Sequence, residues 1–261
     1  MFPNLGGIGP FTLHSFGLMA ALGILAAWWF VAIDLGERGF SPSLATELLI
    51  AAGVGGFVGA RVYWIIDNGG TGSDGLFSGT GITWYGGLFG GAIAVTALAL
   101  LRHLPLGTVA NIAGPAIALG QCVGRIGCQL SGDGDYGSPT SLPWGMSYPE
   151  GTVPTTQIVH PTPIYESLAL LVIFYMLWRA RGRLTAGWSI LGAYLVLSGI
   201  MRFLVEFVRT NAKTALGLTT AQIIALIGIA IGGAILSRSV GHLEPKGHPV
   251  PRRPDSPPAR G

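Results

Sequence analysis

The sequence predicts an all-α, polytopic integral membrane protein of about seven transmembrane helices, N-terminus outside and C-terminus cytoplasmic. Three observations predict it. Half of the 261 residues are hydrophobic and only 10% are charged, with a mean hydropathy of +0.57. A soluble domain carries about 25% charged residues, so lipid rather than water is the solvent this composition fits. The second observation is the spacing of long apolar runs, and the third is the uneven placement of Lys and Arg.

A helix needs about 20 apolar residues to cross the hydrocarbon core. Runs near that length lie at 11–33, 44–66, 83–101, 106–131, 163–178, 186–208 and 219–237. The fifth is short, and the segment before it is expected at the membrane interface. Glycine is abundant, with 42 residues, and Gly55–Gly59 and Gly86–Gly91 contain GxxxG spacings. Such small-residue stripes let helix backbones approach closely in a bilayer, so the second and third helices are expected to pack tightly. The first ten residues carry no basic segment of a signal peptide.

The positive-inside rule orients the chain. The first, third and fifth connections hold Arg38, Arg102, Arg179, Arg181 and Arg183, and the tail adds Arg238, Lys246, Arg252, Arg253 and Arg260. The opposite side holds Arg209 and Lys213 in the last external loop. Residues 1–239 then form the helical domain, with a long external loop at 132–162, and 240–261 read as a disordered cytoplasmic tail rich in Pro and Arg. Long loops in compact proteins are often functional. The net charge of +3 reflects topology, and no nucleic-acid partner is expected.

Three arginines remain inside apolar helices: Arg61, Arg125 and Arg202. A centrally placed Arg costs about 2.5–3.5 kcal/mol on insertion scales, so such residues usually face a cavity and mark a site. Snorkelling to the interface is the simpler alternative for Arg61. Glu206 follows Arg202 by four residues, on one helical face, where the two can pair. His14, Tyr85, His160, Tyr165 and Glu166 begin the inward-running helices, while the arginines lie toward the ends of the outward-running ones. Every unusual polar group therefore falls in the outer half of the bilayer, and a polar cavity is expected there. Cys122 and Cys128 have neither zinc nor CxxC spacing. No metal or nucleotide motif occurs, and no cofactor is expected.

At these residues the chain resembles the bacterial prolipoprotein diacylglyceryl transferase family, from Gly9 to about Asn211. The resemblance rests on five spaced segments after the similar opening Gly9-Pro10-Phe11-Thr12-Leu13-His14-Ser15-Phe16-Gly17-Leu18-Met19. They are Gly59-Ala60-Arg61, Trp84-Tyr85-Gly86-Gly87-Leu88, Gly124-Arg125-Ile126-Gly127 with Gly132-Asp133-Gly134-Asp135-Tyr136-Gly137, His160-Pro161-Thr162-Pro163-Ile164-Tyr165-Glu166, and Arg202-Phe203-Leu204-Val205-Glu206-Phe207. There are four departures. Tyr85 stands where the family has a motif histidine, Phe16 and Ser198 replace tyrosines, and Cys128 replaces an asparagine.

The resemblance implies transfer of the diacylglyceryl group of phosphatidylglycerol to the lipobox cysteine of prolipoproteins, at the outer face of the bacterial cytoplasmic membrane. The partners implied are phosphatidylglycerol, a prolipoprotein lipobox peptide and the bilayer. Binding the phosphate and stabilising charge on the leaving group call for Arg, with its forked donors and permanent charge. Arg125, Arg202, Glu206, Tyr85, His14 and His160 are the candidate catalytic residues. Arg61, Arg125, Gly127, Asp133, Tyr165 and Glu166 are the candidate substrate-binding residues. Glu206 is expected to orient Arg202, and His14 or His160 to take the thiol proton. Rival classes are a non-catalytic lipid or lipoprotein binder, for which Tyr85 argues, and a transporter, which the seemingly empty inner halves disfavour. Without a Lys in the seventh helix, a retinal protein is unfavoured as well.

Overall fold

A computed structural model describes residues 1–8, 11–67, 84–182, 184, 187–214 and 217–240. Side chains of residues 8, 11, 67, 84, 85 and 240 are not among those described. The expected tail beyond 240 lies outside the described residues.

Among the described residues seven α-helices follow in order: α1 (Ser15–Glu37), α2 (Leu44–Asp67), α3 (Trp84–Leu101), α4 (Leu106–Ser131), α5 (Thr162–Ala180), α6 (Ser189–Val205) and α7 (Thr220–Val240). Six are long and apolar enough to cross a bilayer, and the Gly86–Leu101 part of α3 is a shorter apolar helix. Their outer faces carry bare large apolar residues such as Ile66, Ile93, Leu101 and Val172. On a soluble protein such surface would be an association liability. In a bilayer it is the lipid face.

Two boundaries differ from the sequence expectation. Residues 11–14 are not helix: Phe11–His14 (β2) pairs antiparallel with Asn4–Ile8 (β1). This hairpin is tied to α4 by a hydrogen bond from the Phe2 amide to the Leu130 carbonyl, 3.0 Å. The segment before α5 is also a strand. Thr155–Val159 (β4) pairs with Met146–Tyr148 (β3) inside the 132–162 loop. Helix α5 itself is a full 19 residues, started by Pro163 in its first turn, where the missing N–H costs nothing.

Helix α4 is the central element, packing against α1, α5 and α6, while α7 packs on α6 and α2 pairs with α3. The expected glycine packing is found between α2 and α3. A Cβ built on Gly90 would lie 2.7 Å from the Gly59 Cα, and one on Gly59 would lie 2.6 Å from the Gly90 Cα. No side chain fits there, which is why the two backbones can touch. Antiparallel contacts also fix α1 on α4, with Gly127 under Phe16 and Gly120 against Gly23. Asn111 joins α4 to the start of α6, donating to the Gly187 carbonyl (2.8 Å) and accepting from the Ile190 amide (2.9 Å). These pairings bring the C-terminal ends of α4 and α6 together with the N-terminal end of α5.

Candidate functional site: a guanidinium–carboxylate cluster

At that end of the bundle, α4 stops where Gly132 takes a left-handed conformation (φ 59°) and its N–H returns to the Cys128 carbonyl, 3.0 Å. This cap turns the chain so that Asp135 lies back over the helix end. Arg125, two turns earlier, reaches outward to Asp135 and across to Glu166 on α5, Nε to Oε2 2.5 Å. Helix α6 supplies Arg202, which binds Glu166 at 2.8 Å and Glu206 at 3.0 Å. One 3-10 turn (Glu206–Val208) follows α6 and delivers Arg209. That guanidinium contacts Asp135 at 2.5 Å, Glu166 at 3.3 Å and Glu206 at 3.9 Å.

Three guanidiniums thus alternate with three carboxylates, and Glu166 is the hub. Its side chain is 1% exposed and receives all three arginines. A buried carboxylate is tolerated only when its charge is matched and its lone pairs are filled, and here both conditions hold. Glu206 is also buried and accepts from the Asn211 amide at 2.6 Å. Asp135 is 32% exposed. Burial alone would push its carboxyl up, but Arg209 and Arg125 together hold it below the ordinary carboxylate value. Its backbone is pinned, with Thr162 Oγ1 donating to its carbonyl and its own amide donating to Asp133 Oδ1 at 3.2 Å.

The other candidates lie as follows. The expected pair Arg202–Glu206 is present, and Arg125 and Glu166 join it. Asp133 meets the cluster through the Asp135 amide and through Cys128, whose thiol lies 3.9 Å from Arg125. Gly127 packs under α1, where an added Cβ would stand 3.0 Å from that of Met19, so its visible role is helix contact. His14 is exposed, its Nδ1 3.0 Å from the Thr12 carbonyl. His160 borders an apolar groove of about 440 Å³ lined by Leu142, Trp144, Tyr165, Leu204, Val205 and Val208. Trp144 Nε1 donates to the Tyr165 hydroxyl at 2.8 Å, and that hydroxyl lies 3.3 Å from His160 Nδ1. Because indole only donates, the Tyr165 proton is free to go to His160, which in its neutral form then carries its own proton on Nε2. Among the described residues, neither imidazole bonds to the charged cluster.

Arg61 is buried on α2, its guanidinium over the Trp64 ring at 4.6 Å, so it does not snorkel. Its neighbour Ala60 packs on Gly86 and Gly87 of α3. Tyr85 occupies the first turn of α3, and its side chain lies outside the described residues. Two members of the cluster, Arg209 and Asp135, were not expected. Arg209 was counted as a loop charge, yet its spacing of seven from Arg202 and three from Glu206 is that of one helical face. Asp135 carries no comparable signal, because a turn, not a periodicity, brings it in.

The opposite ends of the helices are not empty either. Buried Asp34 of α1 binds Arg38 at 3.1 Å and Arg181, beyond α5, at 2.8 Å. Arg181 also binds Glu37 at 2.7 Å, and its two contacts clasp α1 to α5 at the far end of the bundle. Cys128, Asp133 and Asp135 place ligand atoms within 4.8 Å of one another. A cation there would compete with two guanidiniums for Asp135, and the arrangement suits anions on arginine better than a metal on carboxylate.

A family model described as prolipoprotein diacylglyceryl transferase matches residues 3–238. Relatives named phosphatidylglycerol–prolipoprotein diacylglyceryl transferase include a Clostridium tetani protein, 32% identical over 242 residues, covering 89% of this chain and 95% of the relative. A Finegoldia magna protein of that name is 32% identical over 228 residues, covering 85% and 88%. One from Nostoc sp. is 29% identical over 252 residues, covering 90% and 88%. The likeness runs through every helix that builds the cluster, and the chain belongs to the prolipoprotein diacylglyceryl transferase family.

Proposed function

We propose that this protein transfers the diacylglyceryl group of phosphatidylglycerol to the cysteine of a prolipoprotein lipobox, working at the outer face of a bacterial cytoplasmic membrane. The observation that carries the proposal is the convergence of Arg125, Arg202 and Arg209 at one end of the bundle. In the reaction a cysteine sulfur forms a bond to the terminal glyceryl carbon, and the bond from that carbon to the phosphate oxygen breaks. The electron pair leaves on the oxygen, and glycerol phosphate departs.

Arg125 and Arg209 hold the phosphate, in the place that Asp135 bridges, and Arg202 beside them helps to stabilise the charge that gathers on it. Their charge is permanent, and their geometry is fixed beforehand by Glu166 and Glu206, so little reorganisation is needed at the moment of reaction. An ordinary thiol titrates near 8.5, so a guanidinium beside it need raise the thiolate fraction only modestly. His160, beside the groove, is assigned as the acceptor of the thiol proton by way of Tyr165, whose hydroxyl passes its own proton to His160 Nδ1 as it takes the proton of the thiol. His14 faces the Thr12 carbonyl and is given no part in the chemistry. Arg61 and Asp133 are assigned to the walls of the lipid site, Tyr85 to the thiol's side of the reaction, and the apolar groove to the glycerolipid chains. Tyr85, with an ordinary value near 10, serves as a hydrogen-bond donor and not as a base.

Expression in a cell depleted of its own transferase tests the proposal. It predicts restored growth and lipid-modified lipoproteins. Failure to rescue, with the protein inserted at normal abundance, would refute it.

A further inference from the structure

Among the groups in direct ion-pair contact the charges balance, three guanidiniums against three carboxylates, and the Asp133 carboxylate, within 4.8 Å of that of Asp135, leaves no positive charge to spare. A site in that state has no surplus charge with which to hold a phosphate. One carboxylate must leave before an anion enters, and the three are not equally able to leave. Glu166 is 1% exposed and gripped by all three arginines. Glu206 is buried and held by Arg202 and Asn211. Asp135 is 32% exposed and bridges only Arg125 and Arg209, with one carboxylate oxygen on each. It spans two guanidiniums as a phosphate with two free oxygens would.

We infer that Asp135 is a resident stand-in for the substrate phosphate, swung out when an anionic headgroup binds and returning to expel the phosphate product. With Asp135 turned out the cluster carries one net positive charge, and a phosphodiester, with its single negative charge, restores neutrality. The exchange needs only rotation of the side chain, because Thr162 and Asp133 pin the backbone. The carboxylate therefore stays within reach and competes again as soon as the C–O bond has broken. Glycerol phosphate, a monoester with a second ionisable oxygen, would otherwise be the tightest ligand of three arginines. Asp135 acts here as a positioning residue, through Arg125 and Arg209, and not on the reacting atoms.

This inference rests on the transfer activity proposed above, but its test is a binding measurement that does not require turnover. The full chain in detergent micelles is titrated calorimetrically with glycerol phosphate, wild type beside Asp135→Asn and Asp135→Glu. Removing the competitor should tighten binding about tenfold, the size of one charge-assisted contact that no longer competes. Asp135→Glu, which restores a competing carboxylate, should bind far more weakly than Asp135→Asn. In turnover the Asn variant should show a lower KM for phosphatidylglycerol and stronger inhibition by glycerol phosphate, with kcat not raised. A merely structural Asp135 predicts the opposite sign, weaker binding in Asp135→Asn, and that result or equal affinity overturns the inference. Tighter binding by Asp135→Asn in a chain that transfers nothing would sustain the stand-in role while refuting the transferase assignment. Normal wild-type transfer without tighter binding would refute the stand-in alone.

Discussion

Glu166→Gln separates a charge hub from a merely well-packed side chain. The substitution keeps volume and shape but removes one negative charge from contact with guanidiniums at 2.5, 2.8 and 3.3 Å. The amide retains one acceptor oxygen, and its NH2 must now face a donor. Breaking a fully buried ion pair from one side costs about 3–5 kcal/mol. Arg125 and Arg202 are about one quarter exposed, so water relieves part of the uncompensated charge. The lower end, about 3 kcal/mol, is the expected loss. Glu47→Gln is the control, since its pair with Arg102 is 35% and 53% exposed and is worth at most about 0.5 kcal/mol once screening is counted. Reversible SDS titration in mixed micelles, followed by tryptophan fluorescence, measures both variants. A Glu166→Gln protein within about 0.5 kcal/mol of wild type would refute the hub.

Three further outcomes follow from separate parts of the molecule. Gly90→Ala should destabilise the α2–α3 pair by about 1–3 kcal/mol through overpacking in the same titration, whereas Gly53→Ala, with open space around its Cβ, should not. The Asp135 carboxyl is held below its ordinary value of 3.8, so its stabilisation is fully present above that value and is lost as pH falls through the lower folded value. The difference in unfolding midpoint between wild type and Asp135→Asn should be constant between pH 5 and 8 and should shrink only at the acid end, as the wild-type carboxylate is protonated. A reporter fused after Gly261 should be active only in the cytoplasm and one inserted near Ser138 only outside, as ten basic residues against two demand; swapped signals would invert the topology.

The helices were legible because lipid imposes a simple rule: every span must be apolar and long. Their packing was partly legible, since Gly55, Gly59, Gly86 and Gly90 announce close approach without saying which helices meet. The strands β1, β2, β3 and β4 were not, because short hairpins at a membrane surface leave no long alternation, and Phe11 and Leu13 read as more helix. In the cluster, Arg125, Arg202, Glu166 and Glu206 stood out as charges where charge is expensive. Arg209 and Asp135 were hidden by lying just beyond helix ends, where charged residues are ordinary. Asp34, in the last turn of α1 at the opposite end of the bundle, falls one residue past the apolar run at 11–33 and so gave no signal. What pairs them is tertiary: the left-handed cap at Gly132 and the 3-10 turn after Val205.

The most direct measurement is transfer of labelled diacylglycerol from phosphatidylglycerol vesicles to a synthetic lipobox peptide by the full chain, wild type beside Arg125→Ala and Tyr85→His. The arginine cluster as phosphate site predicts transfer by wild type, none to a peptide with Ser in place of its Cys, and a loss of at least about 100-fold in Arg125→Ala, as for removal of one preorganised donor. Tyr85→His should raise turnover with little change in lipid affinity, since a base acts on the thiol and not on the phosphate. Wild-type rates from an inserted, folded Arg125→Ala protein would contradict the assignment of the phosphate to this cluster.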